Sequence, residues 1–205
     1  MRSKILSRRI LLIVIPSGLT FSVALLSYFP PKSSILDGST LLIENATTTP
    51  NQEQASVELP VRLKIPSIKV DAPVEYVGLT PDGAMNVPKS PVGVAWFNLG
   101  PRPGEDGSAV ITGHYGWKNN IPAVFDNLHK LRVGDKISVE DEKGLATTFV
   151  VREVRIYDKD DDDVASDVFD SSDGKAHLNL ITCEGEWDKV SKTYSKRLVV
   201  FTDKE

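Results

Sequence analysis

The chain's one cysteine, Cys183, closes the apolar run Leu178-Asn179-Leu180-Ile181-Thr182 and precedes the polar stretch Glu184-Gly185-Glu186-Trp187-Asp188. That pattern puts a thiol at a strand–loop boundary. A lone cysteine excludes an intramolecular disulfide framework and any multi-cysteine zinc site. It is then either a small buried hydrophobe or a nucleophile. A nucleophilic thiol needs a base or cation that favours thiolate and a donor for the developing oxyanion. Three histidines are available. His129 stands among charged neighbours and reads as a surface residue. His177 is six residues before Cys183, roughly 20 Å along an extended strand and out of reach of the thiol. His114, in Ile111-Thr112-Gly113-His114-Tyr115-Gly116, ends an apolar strand between two glycines, where an imidazole can enter a cleft. Of the cations near the C-terminus, Arg197 lies on the strand that returns after Cys183, so a hairpin can bring it alongside. A guanidinium stays charged and presents two donors to one oxygen.

The elements that must position these groups are mostly strands. Val61–Ile65 alternates with period 2, and Pro73 suggests a bend or an edge within 68–77. Residues 78–107, rich in Gly and Pro, read as loop with short strands. Residues 108–112, 136–139, 146–157, 176–183 and 194–202 follow as β segments. Val124, Phe125, Leu128 and Leu131 are spaced as on a one-sided helix. Many short strands with one or two short helices predict a mainly β fold closed into a barrel over 60–205.

Composition is ordinary for a globular chain, with 40% hydrophobic and 25% charged residues. The net charge is −4, and the only basic cluster is Arg2, Lys4, Arg8 and Arg9, which leaves the rest at −8. That balance argues against a nucleic-acid partner. The basic residues 1–9 lead into 10–31, which carries no charged side chain. Ile10 to Phe29 would span roughly 30 Å as a helix, enough to cross a bilayer. The expectation is a transmembrane signal-anchor with residues 1–9 cytoplasmic, a flexible linker over 32–59, and an extracellular domain from 60. A cleaved signal peptide is the alternative, because Ser22-Val23-Ala24 has cleavage-site spacing, but the apolar run overshoots a signal's usual core. In an exported domain, an unpaired cysteine points to a reactive thiol or an intermolecular bridge.

Three segments resemble the active-site segments of sortases, the cysteine transpeptidases of Gram-positive cell walls. They are Gly113-His114, Leu180-Ile181-Thr182-Cys183, and Tyr194-Ser195-Lys196-Arg197-Leu198-Val199-Val200. Ile65-Pro66-Ser67-Ile68-Lys69-Val70-Asp71-Ala72-Pro73-Val74 is similar to the opening of that family's barrel. The resemblance covers about 61–202 and implies a closed eight-stranded barrel with His114, Cys183 and Arg197 converging at one end of a groove. It implies that Cys183 attacks the Thr–Gly carbonyl of an LPXTG-like signal on a secreted protein. His114 serves as acid, then base, and Arg197 supports the oxyanion. The acyl group passes to a peptidoglycan-precursor amine, with no cofactor. Thr182, Gly185 and Trp187 are expected on the substrate-binding side, although the tryptophans fit packing roles better than a dedicated ligand cage. The family signature TLxTC has Thr where this chain has Asn179, which should affect strand packing more than chemistry. No Asp-Pro-aromatic motif occurs in 32–60 and no second apolar span follows the domain. Those features argue for a class F (or D/E) member over a pilin polymerase.

Eight Asp and one Lys stand between Asp158 and Asp173. Carboxylate oxygens suit Ca²⁺, but without EF-hand spacing the segment reads as a solvated, self-repelling loop. Two rival functions share the same barrel: a hydrolytic cysteine peptidase and a non-catalytic wall-binding domain. The anchor reading predicts that the native protein stays in the membrane fraction with its N-terminus intact. Recovery from culture medium with an N-terminus at Leu25 would contradict it.

Overall fold

The computed structural model describes residues 57–118 and 120–205. The expected anchor and most of the linker lie outside the described residues. The strands are β1 (Pro60–Ile65), β2 (Val70–Val77), β3 (Val94–Phe97), β4 (Gly107–Gly113), β5 (Trp117–Lys118), β6 (Ile121–Pro122), β7 (Lys136–Asp141), β8 (Ala146–Asp158), β9 (Ala176–Asp188) and β10 (Thr193–Lys204). One α-helix, α1 (Asp163–Phe169), stands between β8 and β9. Eight strands close a barrel in the order β1-β2-β3-β4-β9-β10-β8-β7, and β5 with β6 forms a separate two-stranded ribbon. The mainly β, eight-stranded closed barrel implied by the resemblance is therefore present.

Alternation along the strands explains the layering. Leu178 and Leu180 of β9 and Leu198 and Val200 of β10 point into the barrel, where Phe125 and Phe149 are also fully buried. Odd-numbered neighbours on the same strands face out. There Val199 and Phe201 join Val110, Tyr157 and Val168 in a second apolar cluster beneath α1. Pro73 sits where β2 changes partner, pairing with β1 up to Pro73 and with β3 from Val74. The missing N–H is thus placed at a local edge.

Three expectations need correction. The apolar spacing over 121–131 does not form an α-helix. Pro122 belongs to β6, and the N–H groups that would close helical turns bond elsewhere: Ala123 to Gly116, Val124 to Pro91 and Phe125 to His114. Only Leu128–Lys130 makes a 3-10 turn. The pattern still marks burial, since Phe125, Leu128 and Leu131 are at most 1% exposed. Second, the Asp-rich segment is not all solvated loop, because Val164, Val168 and Phe169 pack on the outer cluster and seven residues become helical. Third, Cys183 is not at a strand–loop boundary: β9 runs on to Asp188, paired with β10.

Asn179 ties the helix down. It is 1% exposed, and its Nδ2 donates to the Val168 carbonyl at 2.7 Å. At the position where the family signature has Thr, Asn179 thus makes a hydrogen bond to α1. Replacing Asn179 with Ala leaves a buried carbonyl without its side-chain donor, at a cost of about 1–3 kcal/mol. We predict that hydrogen exchange in 163–169 speeds up while exchange in β4 and β9 changes far less. Equal protection in the helix would contradict this anchoring.

Candidate active site

The site begins with the pairing of β4 and β9. These strands run parallel, with Gly107 to Thr112 opposite Ala176 to Ile181. One residue beyond the ladder, the buried Thr182 hydroxyl donates to the Gly113 carbonyl at 2.8 Å. His114 follows Gly113 directly and Cys183 follows Thr182, so this bond ties the two reactive residues to a common strand end. On the other side of β9, antiparallel β10 sets Arg197 opposite Cys183. The hairpin thus delivers the cation alongside the thiol.

Cys183, Arg197, His114 and Thr182 all line one cleft of about 490 Å³. Thr112 and Ile181 also line it, with Val164, Ala165 and Phe169 of α1 and with Met85 and Val87. The lining combines apolar side chains with a few polar and charged groups, as ligand-binding clefts commonly do. Met85, Val87 and the α1 residues carry no sequence signal of their own; only the folded register brings them beside Cys183.

The electrostatics set the resting state. Burial pushes the Cys183 thiol up, and the Arg197 charge opposes that shift without cancelling it. The resting group is therefore mainly thiol, and a nucleophilic role would require a base near it. The His114 Nε2 lies 2.8 Å from the Pro88 carbonyl. A carbonyl only accepts, so Nε2 carries the proton and Nδ1 is the nitrogen left to exchange one. The Arg197 guanidinium donates to the carbonyls of Lys196 and Tyr194 and to the Thr193 hydroxyl, at 2.8, 3.1 and 3.2 Å. These contacts hold it folded against its own strand at the cleft.

Gly185 and Trp187 do not line this cleft. Gly185, at φ +84°, sits where the β9–β10 register shifts, and a Cβ there would come 2.5 Å from Ser195 Oγ. Trp187 packs edge-on against Tyr194, with ring centroids 5.0 Å apart, and is half exposed. Tyr194 in turn meets Tyr115 at 5.1 Å. These aromatics tie the loop after His114 to the hairpin carrying Cys183 and Arg197. No local pattern reports that contact, because the two segments lie far apart along the chain. His129 is exposed, and His177 bonds to Asp203 and Asp173 at 2.9 and 3.0 Å, well away along β9. Among the described residues no group of three His, Cys, Asp or Glu is arranged to hold a metal ion.

The family model for the sortase domain matches residues 63–205. Among solved structures, the chain is similar to Streptococcus agalactiae sortase C1 in its complex with MTSET. The identity is 25% and the TM-score 0.53, over 71% of this chain and 66% of that one. Actinomyces oris sortase C-1 is also 25% identical, with a TM-score of 0.54, over 71% of this chain and 74% of that one. Sortase A from Corynebacterium diphtheriae, at 22% identity and a TM-score of 0.55, covers 74% of this chain and 63% of that one, and shows likeness of fold. No curated protein matches.

The shifted thiol carries a test. The rate of Cys183 alkylation should climb with pH along a curve centred above the ordinary cysteine range, about 8.5. Arg197→Ala should move that curve higher still, by removing the charge that favours thiolate. A curve centred at or below the ordinary value, or one unmoved in the variant, would contradict this electrostatic account.

Proposed function

The chain belongs to the sortase family, and on that premise we propose that it is a cysteine transpeptidase using His114, Cys183 and Arg197 on LPXTG-like sorting signals. The observation that carries the reading is the cross-strand pairing of Cys183 with Arg197 on the floor of a cleft that His114 also lines.

The proposed cycle has two halves. His114 takes the Cys183 thiol proton, and the thiolate attacks the Thr carbonyl carbon; a C–S bond forms, the C–N bond to Gly breaks, and the His114 imidazolium protonates the leaving amine. A neutral amine then attacks the thioester; the C–N bond forms, the C–S bond breaks, and the amine's surplus proton passes to His114. Return of that proton to the departing thiolate restores the resting thiol and neutral imidazole. Arg197, on reorienting from its own strand's carbonyls, donates to the oxyanion of both tetrahedral intermediates. Thr182 shapes the pocket by fixing the strand end.

The reading extends to the cell. The clients are secreted proteins with C-terminal LPXTG-like signals, and the acceptor is a peptidoglycan-precursor amine. The enzyme is held in the membrane by residues 10–31 with its barrel outside, works without a cofactor or calcium, and belongs to class F (or D/E), although the solved structures named above are sortases C and A. Gly185 and Trp187 contribute to substrate binding through the hairpin's shape and not from the cleft floor.

Mass spectrometry of the full chain with an LPXTG-type peptide and an amine tests the proposal. We predict a thioacyl adduct on Cys183, none in Cys183→Ala, and little turnover in His114→Ala. Arg197→Lys should lose about 10²–10³-fold in rate, since an ammonium cannot reproduce the planar two-donor fork. Near-parental turnover in either alanine variant would overturn the assignment.

A further inference from the structure

Apart from the residues of the cycle, one buried titratable side chain grips two carboxylates at once. His177 lies on β9 and is 5% exposed. Its Nδ1 stands 2.9 Å from Asp203 Oδ1, across the β9–β10 pair. Its Nε2 stands 3.0 Å from Asp173 Oδ1, in the segment between α1 and β9. A carboxylate oxygen only accepts, so both ring nitrogens donate here and the ring is an imidazolium. The bond from His177 draws the Asp173 carboxyl down to about 2. The stability from that shift is present above the ordinary carboxylate value of about 3.9. It is lost only as the pH falls through about 2, so the contact persists far to the acid side of neutrality.

The neighbours make the two bonds unequal once the ring is neutral. Asp203 stands opposite His177 in the ladder, and Arg152 of β8, 3.3 Å from its carboxylate, holds it in place. Among the described residues Asp173 has no ion pair except that with His177. Its other donors, the Ser171 hydroxyl and the Lys175 N–H at 3.1 Å each, belong to its own segment. From β4, the residue paired with His177 is the uncharged Ser108. The remaining charges around the adjoining cavity of about 260 Å³ are Asp170 and the ion-paired Glu153, Arg155 and Asp167. A neutral ring has one donor for two carboxylates, and its bare nitrogen repels the other. Swinging Asp173 out to water relieves that contact, because only a connecting segment moves. Asp173 lies four residues past the end of α1, and α1 lines the Cys183 cleft through Val164, Ala165 and Phe169.

We infer that His177 is a pH-sensitive latch, its imidazolium tying the segment after α1 to β9 and so steadying the helix beside the Cys183 cleft. As the pH rises and the ring gives its Nε2 proton to solvent, Asp173 is released and α1 loosens. The bonds from Asn179 to Val168 and from Tyr157 to Asp167 do not pass through the ring, so the helix loosens without leaving the barrel. The latch stands on this geometry alone, whereas its effect on catalysis rests on the transpeptidase reading.

Nuclear magnetic resonance of the full chain follows the His177 ring from about pH 5 to about pH 9, which brackets an imidazole's ordinary range. Amide exchange in α1 and at Lys175 is read at both ends as protection factors, which remove the intrinsic pH dependence. Protection should fall about tenfold as the ring loses its proton. Asp173→Ala also loses the two local bonds, but at every pH, so its protection should be low and without a step. A ring that keeps one protonation state throughout, a parent without the step, or a step that persists in Asp173→Ala overturns the latch. Acylation of Cys183 by an LPXTG-type peptide is then compared between parent and variant. Titration of Cys183 and His114 is common to both and cancels in the ratio, so the parent's advantage should shrink towards none as the pH rises. A flat ratio overturns the link to the cleft. A parent that is never acylated overturns the transpeptidase reading, while the exchange data still decide the latch.

Discussion

The hydrogen bond from Thr182 to the Gly113 carbonyl is the constraint on which the site depends. β4 and β9 are separated by four further strands and a helix in the chain, and a parallel pair requires such a crossover. Their ladder ends at Thr112 opposite Ile181. Without a tie beyond that point, the two strand ends could splay, and His114 and Cys183 lie just past them. The threonine hydroxyl extends the register by one residue, inside the barrel, where competing water is excluded. A neutral hydrogen bond of this kind adds only about 0.5–1.5 kcal/mol to stability. Its larger consequence is positional, because a misplacement of about 1 Å at reacting atoms can cost 10²-fold in rate.

Around that tie, neighbouring parts fit for steric reasons. Gly113 approaches the fully buried Phe125 so closely that a Cβ would come 2.5 Å from its ring. The turn carrying Phe125 therefore packs against the strand end that precedes His114, and Phe125 N–H donates to the His114 carbonyl at 3.0 Å. On the outer face, α1 is held by apolar contacts and by Asn179, and it forms one wall of the cleft. Cys183 and Arg197 thus stand on paired strands and His114 directly after one, while the wall is a short helix that local opening can move.

Much of the fold could be read from the residues. Period-2 alternation in β1 follows from one face meeting the core, and the structure buries Leu63 and Ile65 on that face, whereas Leu198 to Thr202 of β10 are buried on both faces because α1 covers the outer one. The stretch over 121–131 misled because burial at helical spacing is not the same as helical hydrogen bonding; the carbonyls of Gly116, Pro91 and His114 took the N–H groups instead. The sequence placed the thiol at a strand end because Glu184 to Asp188 is polar. The strand continues because its partner is another strand, and no core contact is required of it. Cys183, Arg197 and His114 could be singled out by type and order. The contacts of Tyr115, Tyr194 and Trp187 could not, since their meeting depends on a long-range register and on the shift at Gly185 that no local pattern reports.

The central claim is that one buried hydroxyl sets the geometry of the reactive residues, and Thr182→Val tests it most directly. The substitution keeps the shape and removes the donor. Single-turnover acylation of Cys183 by an LPXTG-type peptide, measured beside the variant's unfolding free energy, separates position from stability. The account predicts a rate at least about tenfold lower with a stability loss near that of one hydrogen bond. Acylation at the parental rate, in a variant that has lost that stability, would contradict it.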